Sequence, residues 1–248
     1  MTNSATAKAP STISTNAAWL AIGAILTYQA LLGALIFLRP DLEPSWHSIS
    51  EWAIGARGWI MSGAFLVSSA SYGSLFVMLK TQLRKPMGRL GVGILLICAI
   101  GAAGAGFFTT DSMPFHPPLS TRGTLHILCG TCQLVLFPFA ALFISLALAR
   151  ANQIWATERK PLLWAAWLPL FGFACFAVYT SLFVVPMGPH AYGPGVNIGW
   201  PPRFAFFTYM LWIVIVGSLA IRCGRQPSAE THSWNEQRDC LPCAKELS

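Results

Sequence analysis

Four histidines and four carboxylates of this 248-residue chain fall in or beside one alternate set of connecting segments: His47, His116, His126 and His190, with Asp41, Glu43, Glu51 and Asp111. Imidazoles and carboxylates within hydrogen-bond reach of one another do general acid and base work, and with further ligands they bind metal ions. His126 is preceded four residues earlier by Arg122 and followed seven residues later by Gln133, so on a helix the three share one stripe. Asp111 closes a glycine-rich apolar run, where a carboxylate needs a partner or a proton because desolvating it alone is costly. Glu51 stands in His47-Ser48-Ile49-Ser50-Glu51-Trp52. Ser48 with Glu51 spells a capping box there, and Ser48 or Ser50 can cap a short helix, while the same stretch also reads as a buried carboxylate facing a cavity. Glu51, Asp111 and His126 are the candidate catalytic residues. Arg203 can clamp a phosphate or carboxylate bidentately, anchor a helix end, or pair with Glu51 or Asp111. With His190, Tyr192 and Gln133 it forms the candidate substrate-binding set, and His126, Asp111 and His116 are the candidate ligands should a metal take part.

The elements that must position these groups are apolar helices. The chain is 54% hydrophobic and only 10% charged, against roughly 25% charged in soluble domains. A helix needs about 20 mostly apolar residues to cross some 30 Å of hydrocarbon. Six segments meet that length, near residues 17–38, 58–79, 90–108, 125–149, 162–186 and 204–221. The predicted fold is therefore an all-α, polytopic six-helix membrane bundle over residues 17–222, with flexible tails at 1–16 and 223–248. The short alternating segments of a membrane barrel are missing.

Cations place the two ends of this bundle. Twelve of the sixteen Lys and Arg fall on the side of both termini and the even connections, and only Arg39, Arg57, Arg122 and Arg203 on the other. Cytoplasmic flanks retain Lys and Arg, so both termini are expected in the cytoplasm and the histidines and acids outside. The formal charge of +7 thus reports topology, and no nucleic-acid partner is implied. The expected partners are membrane lipids and an amphiphilic small molecule.

The remaining polar residues have ordinary readings beside functional ones. His126, Cys129 and Cys132 fan over about 120° of a helix, a poor convergence for one ion. Cys240 and Cys243 repeat the CxxC spacing in the C-terminal tail, where a reduced pair is expected. Gly101 to Gly106 and Ser68 to Gly73 form small faces suited to close helix packing. The stretch from Met187 to Arg203 is too rich in Gly and Pro for regular structure and suits a lid. The chain carries no P-loop, Rossmann fingerprint, HExxH or GxSxG motif.

Ile49-Ser50-Glu51 followed by Gly55 and Gly58-Trp59-Ile60, then Arg89-Leu90-Gly91, Gly106-Phe107-Phe108-Thr109-Thr110-Asp111, Gly123-Thr124-Leu125-His126, and a glycine-rich loop ending in Arg203 together resemble the DUF998 family. That family comprises bacterial and archaeal multi-span proteins whose function is not established. The likeness covers most of residues 15–222 and departs at Thr109, where the family often has proline, and at the proline-rich insert around His116. It implies a bacterial cytoplasmic (inner) membrane location and groups Glu51, Asp111, His126 and Arg203 as a set. The residues themselves leave three functions open: an intramembrane enzyme acting on a lipid or amphiphile by acid/base or metal-assisted chemistry, a proton-coupled carrier or solute-binding protein, and a structural subunit of a membrane complex.

Overall fold

A computed structural model describes residues 13–114, 118–151 and 153–225. These residues are helical with no strand among them, and they include six helices long and apolar enough to cross a membrane. The spans are α1 (Thr15–Leu38), α2 (Gly58–Leu79), α3 (Pro86–Phe107), α4 (Thr121–Leu148), α6 (Arg159–Tyr179) and α7 (Trp200–Arg225). A single turn, α5 (Gln153–Ala156), precedes α6, which runs on through a π turn at Thr180–Val184 and a 3-10 stretch at Val185–His190. A second 3-10 turn, Ile49–Ala53, lies between α1 and α2. Most of the two expected tails, together with His116, His232, Cys240 and Cys243, lies outside the described residues.

The spans match the six apolar runs, with starts displaced for local reasons. α3 begins at Pro86 and not at 90, because proline's fixed φ and missing N–H suit the first turn. α4 begins at Thr121, where the Ser120 hydroxyl accepts the Gly123 N–H at 2.9 Å as an N-cap. Apolar side chains cover the outside of the bundle as well as its interior, with Leu20, Ile100, Trp164 and Leu182 exposed. That is the pattern expected when lipid is the solvent.

Neighbouring helices close a ring in the order α1, α2, α3, α4, α6, α7 and back to α1. Within lipid, packing and hydrogen bonds must hold such a ring, since burial from lipid gives no hydrophobic drive. The small face of α3 serves this: a Cβ on Gly101 would lie 2.8 Å from the Cys129 carbonyl oxygen, so only glycine lets α4 approach so closely. Inside the ring, Phe137 stacks on Tyr209 at 4.7 Å between centroids and meets Trp212 edge-on at 5.5 Å. Pro138 cannot donate to the carbonyl four residues back, and the Tyr209 hydroxyl donates to that freed Leu134 oxygen at 2.6 Å.

The two ends of the ring differ. At the basic end, a Cβ on Gly224 would lie 2.8 Å from the Thr15 side chain, and the Cys223 thiol approaches the Ile154 carbonyl at 3.4 Å. The opposite end carries the connections 39–57, 108–120 and 189–199, and these are laced together by polar contacts.

Candidate functional site

The site is built from the 3-10 turn Ile49–Ala53, the end of α3, and the first turns of α4 and α7. Ser48 sits in extended backbone ahead of that turn, and its N–H donates to Glu51 Oε2 at 2.7 Å. The Tyr192 hydroxyl, reaching down from the glycine-rich connection, donates to Glu51 Oε1. Burial, and then the Glu51 carboxylate, push the Tyr192 phenol above its ordinary value, so it stays protonated and keeps donating. Trp46 meets the Tyr192 ring edge-on at 5.1 Å, and the Gly199 N–H donates to the Ser45 carbonyl at 2.8 Å, so the connection is fastened over the turn.

Arg203 supports the same turn from α7. It is only 8% exposed, its guanidinium lies 4.6 Å from the Trp52 ring centroid, and Nη1 donates to the carbonyls of His47 at 3.0 Å and Gly199 at 2.7 Å. The sequence had offered Glu51 or Asp111 as its partner, but the only ion pair among the described residues is Arg39 with Asp41. Backbone carbonyls and an aromatic face hold the guanidinium instead.

Asp111 is engaged at the start of α4. Its Oδ1 accepts the Ser120 hydroxyl at 2.6 Å and its Oδ2 accepts the Ser120 N–H at 2.9 Å, while Ser120 caps the helix. A Cβ on Gly123 would collide with this carboxylate, which explains a glycine in the first turn. Asp111 does not line the neighbouring cavity. Arg122 is exposed, as is His190.

His126 is placed differently. It is 2% exposed, and Nδ1 lies 2.7 Å from the Phe108 carbonyl oxygen. A carbonyl can only accept, so Nδ1 carries the proton. In the neutral ring Nε2 is then an acceptor, and it lies 2.8 Å from the Ser50 hydroxyl, which donates to it. Phe65 packs edge-on against the ring at 5.7 Å and fixes its plane. A hydroxyl hydrogen-bonded to an imidazole, itself oriented through its second nitrogen, is the arrangement that activates serine as a nucleophile.

Both groups line a cavity of about 330 Å³, together with Phe65, Met113, Thr131, Gln133, Leu134 and Phe206 among others. Its size lies within the range of small-molecule sites, its wall is mainly apolar, and its polar groups are few. Thr131 is an exposed residue on α4, so the cavity reaches the side of the bundle, where lipid chains would lie. Among the described residues no group of three or more His, Cys, Asp and Glu side chains is arranged to hold a metal.

Of the residues chosen from sequence, His126 and Gln133 line this cavity, while Glu51, Tyr192, Arg203 and Asp111 brace the segments around it. Ser50, read from sequence only as a helix cap, completes the pair. Its partner lies 76 positions away, so no local pattern joins them.

The DUF998 family, described as "Protein of unknown function", matches residues 21–219. No curated protein and no solved structure matches the chain.

Proposed function

The chain belongs to the DUF998 family, and on that premise we propose that this integral, multi-pass membrane protein is an enzyme that cleaves or transfers an acyl group of a lipid or other amphiphile. One observation carries the reading: the Ser50 hydroxyl donates to His126 Nε2 on the wall of an apolar cavity that reaches the lipid-facing side of the bundle. Ser50 Oγ attacks the substrate carbonyl carbon as its proton passes to Nε2. The tetrahedral intermediate collapses, the bond to the leaving oxygen or nitrogen breaks, and that atom takes the proton from Nε2. Water or an acceptor alcohol then attacks the acylated Ser50, gives its proton to Nε2, and releases the acyl product as Oγ takes that proton back. Throughout, Nδ1–H stays on the Phe108 carbonyl and keeps the ring in the productive tautomer.

Glu51, Tyr192 and Arg203 hold the turn that carries Ser50, and Asp111 holds the helix start that carries His126; they are positioning residues. The cation distribution supports placing the basic end in the cytoplasm and the cavity in the outer leaflet, and the family resemblance is what favours a bacterial cytoplasmic membrane.

The test replaces Ser50 by Ala and His126 by Gln in the producing cells and follows membrane lipids by mass spectrometry. Accumulation of one acylated amphiphile in both variants, at unchanged protein level, is the expected result. Unchanged lipids in both, with the variants correctly folded, would return the pair to a hydrogen bond that locks two helices.

A further inference from the structure

The polar wall of the cavity continues past His126. Gln133 lies seven residues further along α4 on the same stripe, about 10 Å deeper at 1.5 Å per residue. It is 3% exposed and lines the cavity, and its amide makes no hydrogen bond to any described residue. Its amide atoms are therefore not sealed in the protein but open onto the cavity, where they are paired when something polar lies beside them and left unpaired when hydrocarbon fills the space. The rest of the lining is mainly apolar, with Ile127, Leu134 and Phe206 on it, and its other polar side chains, Thr131 included, make no hydrogen bond to Gln133. A substrate held with its carbonyl at Ser50 and its chain running along α4 would bring the middle of that chain to Gln133.

Resting on the acyl-transfer reading above, we propose that Gln133 selects amphiphiles whose chain bears a second hydrogen-bonding function, a hydroxyl or an amide, about 10 Å from the scissile carbonyl. A plain hydrocarbon chain would leave the amide unpaired and is rejected. Sites built to hydrogen-bond one substrate group discriminate strongly against the analogue lacking it, because the protein's own group is then stranded.

The probes are two long-chain 4-nitrophenyl esters of equal length, one plain and one with a hydroxyl about 10 Å from the ester carbonyl in the extended chain. Binding of both is measured on the full-length S50A protein, which cannot form an acyl-serine, and turnover on the wild type and Q133L. S50A is expected to bind the hydroxylated ester about tenfold to a hundredfold more tightly, and the S50A/Q133L protein is expected to lose that preference. The same preference is expected in kcat/KM for the wild type and is expected to vanish in Q133L. Equal binding of the two esters to S50A would overturn the proposal without any Gln133 variant having to fold. A binding preference on S50A with no turnover by the wild type would sink the acyl-transfer chemistry and leave the selectivity of Gln133 standing.

Discussion

Two serine-centred pairs flank the first turns of α4, and they share chemistry but not surroundings. Ser120 donates to Asp111 and in turn accepts the Gly123 N–H, so every group is consumed in starting a helix. Ser50 donates to His126, whose other nitrogen is already bound, and the two groups stand on the wall of a cavity. The first pair holds geometry; the second has a substrate-sized space in front of its oxygen. A polar residue near a membrane boundary therefore declares a function only when its contacts and the adjoining space are both known.

This difference can be broken experimentally. The largest expected effect is on catalysis: Ser50→Ala should lower turnover by at least about 10³-fold while the melting temperature falls only by what the one lost hydrogen bond to His126 is worth. Asp111→Ala should do the reverse. It strips the support of the α4 cap, worth about 1 kcal/mol, and should lower Tm by roughly 2–4 °C for a chain of this size, with activity per folded molecule falling only a few-fold because Asp111 positions the helix of His126 without lining the cavity. A smaller change is expected for Tyr209→Phe, which leaves the Leu134 carbonyl without its donor. In membranes such bonds average about 0.6 kcal/mol, so thermal unfolding in detergent should detect it and turnover should not.

Tyr192→Phe sharpens the comparison from the glycine-rich connection. It removes the phenol that donates to Glu51 and should raise KM more than it lowers kcat, by a few-fold. The sign with pH follows from the raised phenol: the contact is fully present below the ordinary tyrosine value near 10 and is lost only as pH rises beyond it. Alkaline titration of tyrosine absorbance should therefore show a late component that Tyr192→Phe deletes. The smallest effect belongs to Asp41→Asn, because the Asp41 carboxylate that pairs with Arg39 is open to solvent, where such pairs contribute little, and lies away from the cavity wall.

The spans were legible from sequence because each needs only an apolar run of sufficient length, and no distant partner alters that requirement. Their ends were less so, since Thr121 and Arg122 are polar yet helical, and a hydropathy reading begins the helix after them. His126 and Gln133 stood out as polar residues on one stripe of an apolar helix. Ser50 did not, because its meaning depends on a helix whose His lies far along the chain. Glu51's contact with Ser48 was legible in the capping-box spacing, but its second partner, Tyr192, lies 141 positions away, and whether Asp111 meets a hydroxyl or an open cavity depends on folded geometry.

The most direct measurement is covalent labelling of the purified, folded protein with a long-chain fluorophosphonate bearing a hydroxyl about 10 Å from phosphorus, followed by peptide mass spectrometry. The serine oxygen displaces fluoride from phosphorus as its proton passes to the histidine. The expected result is a single adduct on Ser50 that is absent in Ser50→Ala and much slower to form in His126→Gln. Labelling that ignores His126, falls on another residue, or fails altogether on correctly folded protein would contradict an activated serine in this cavity.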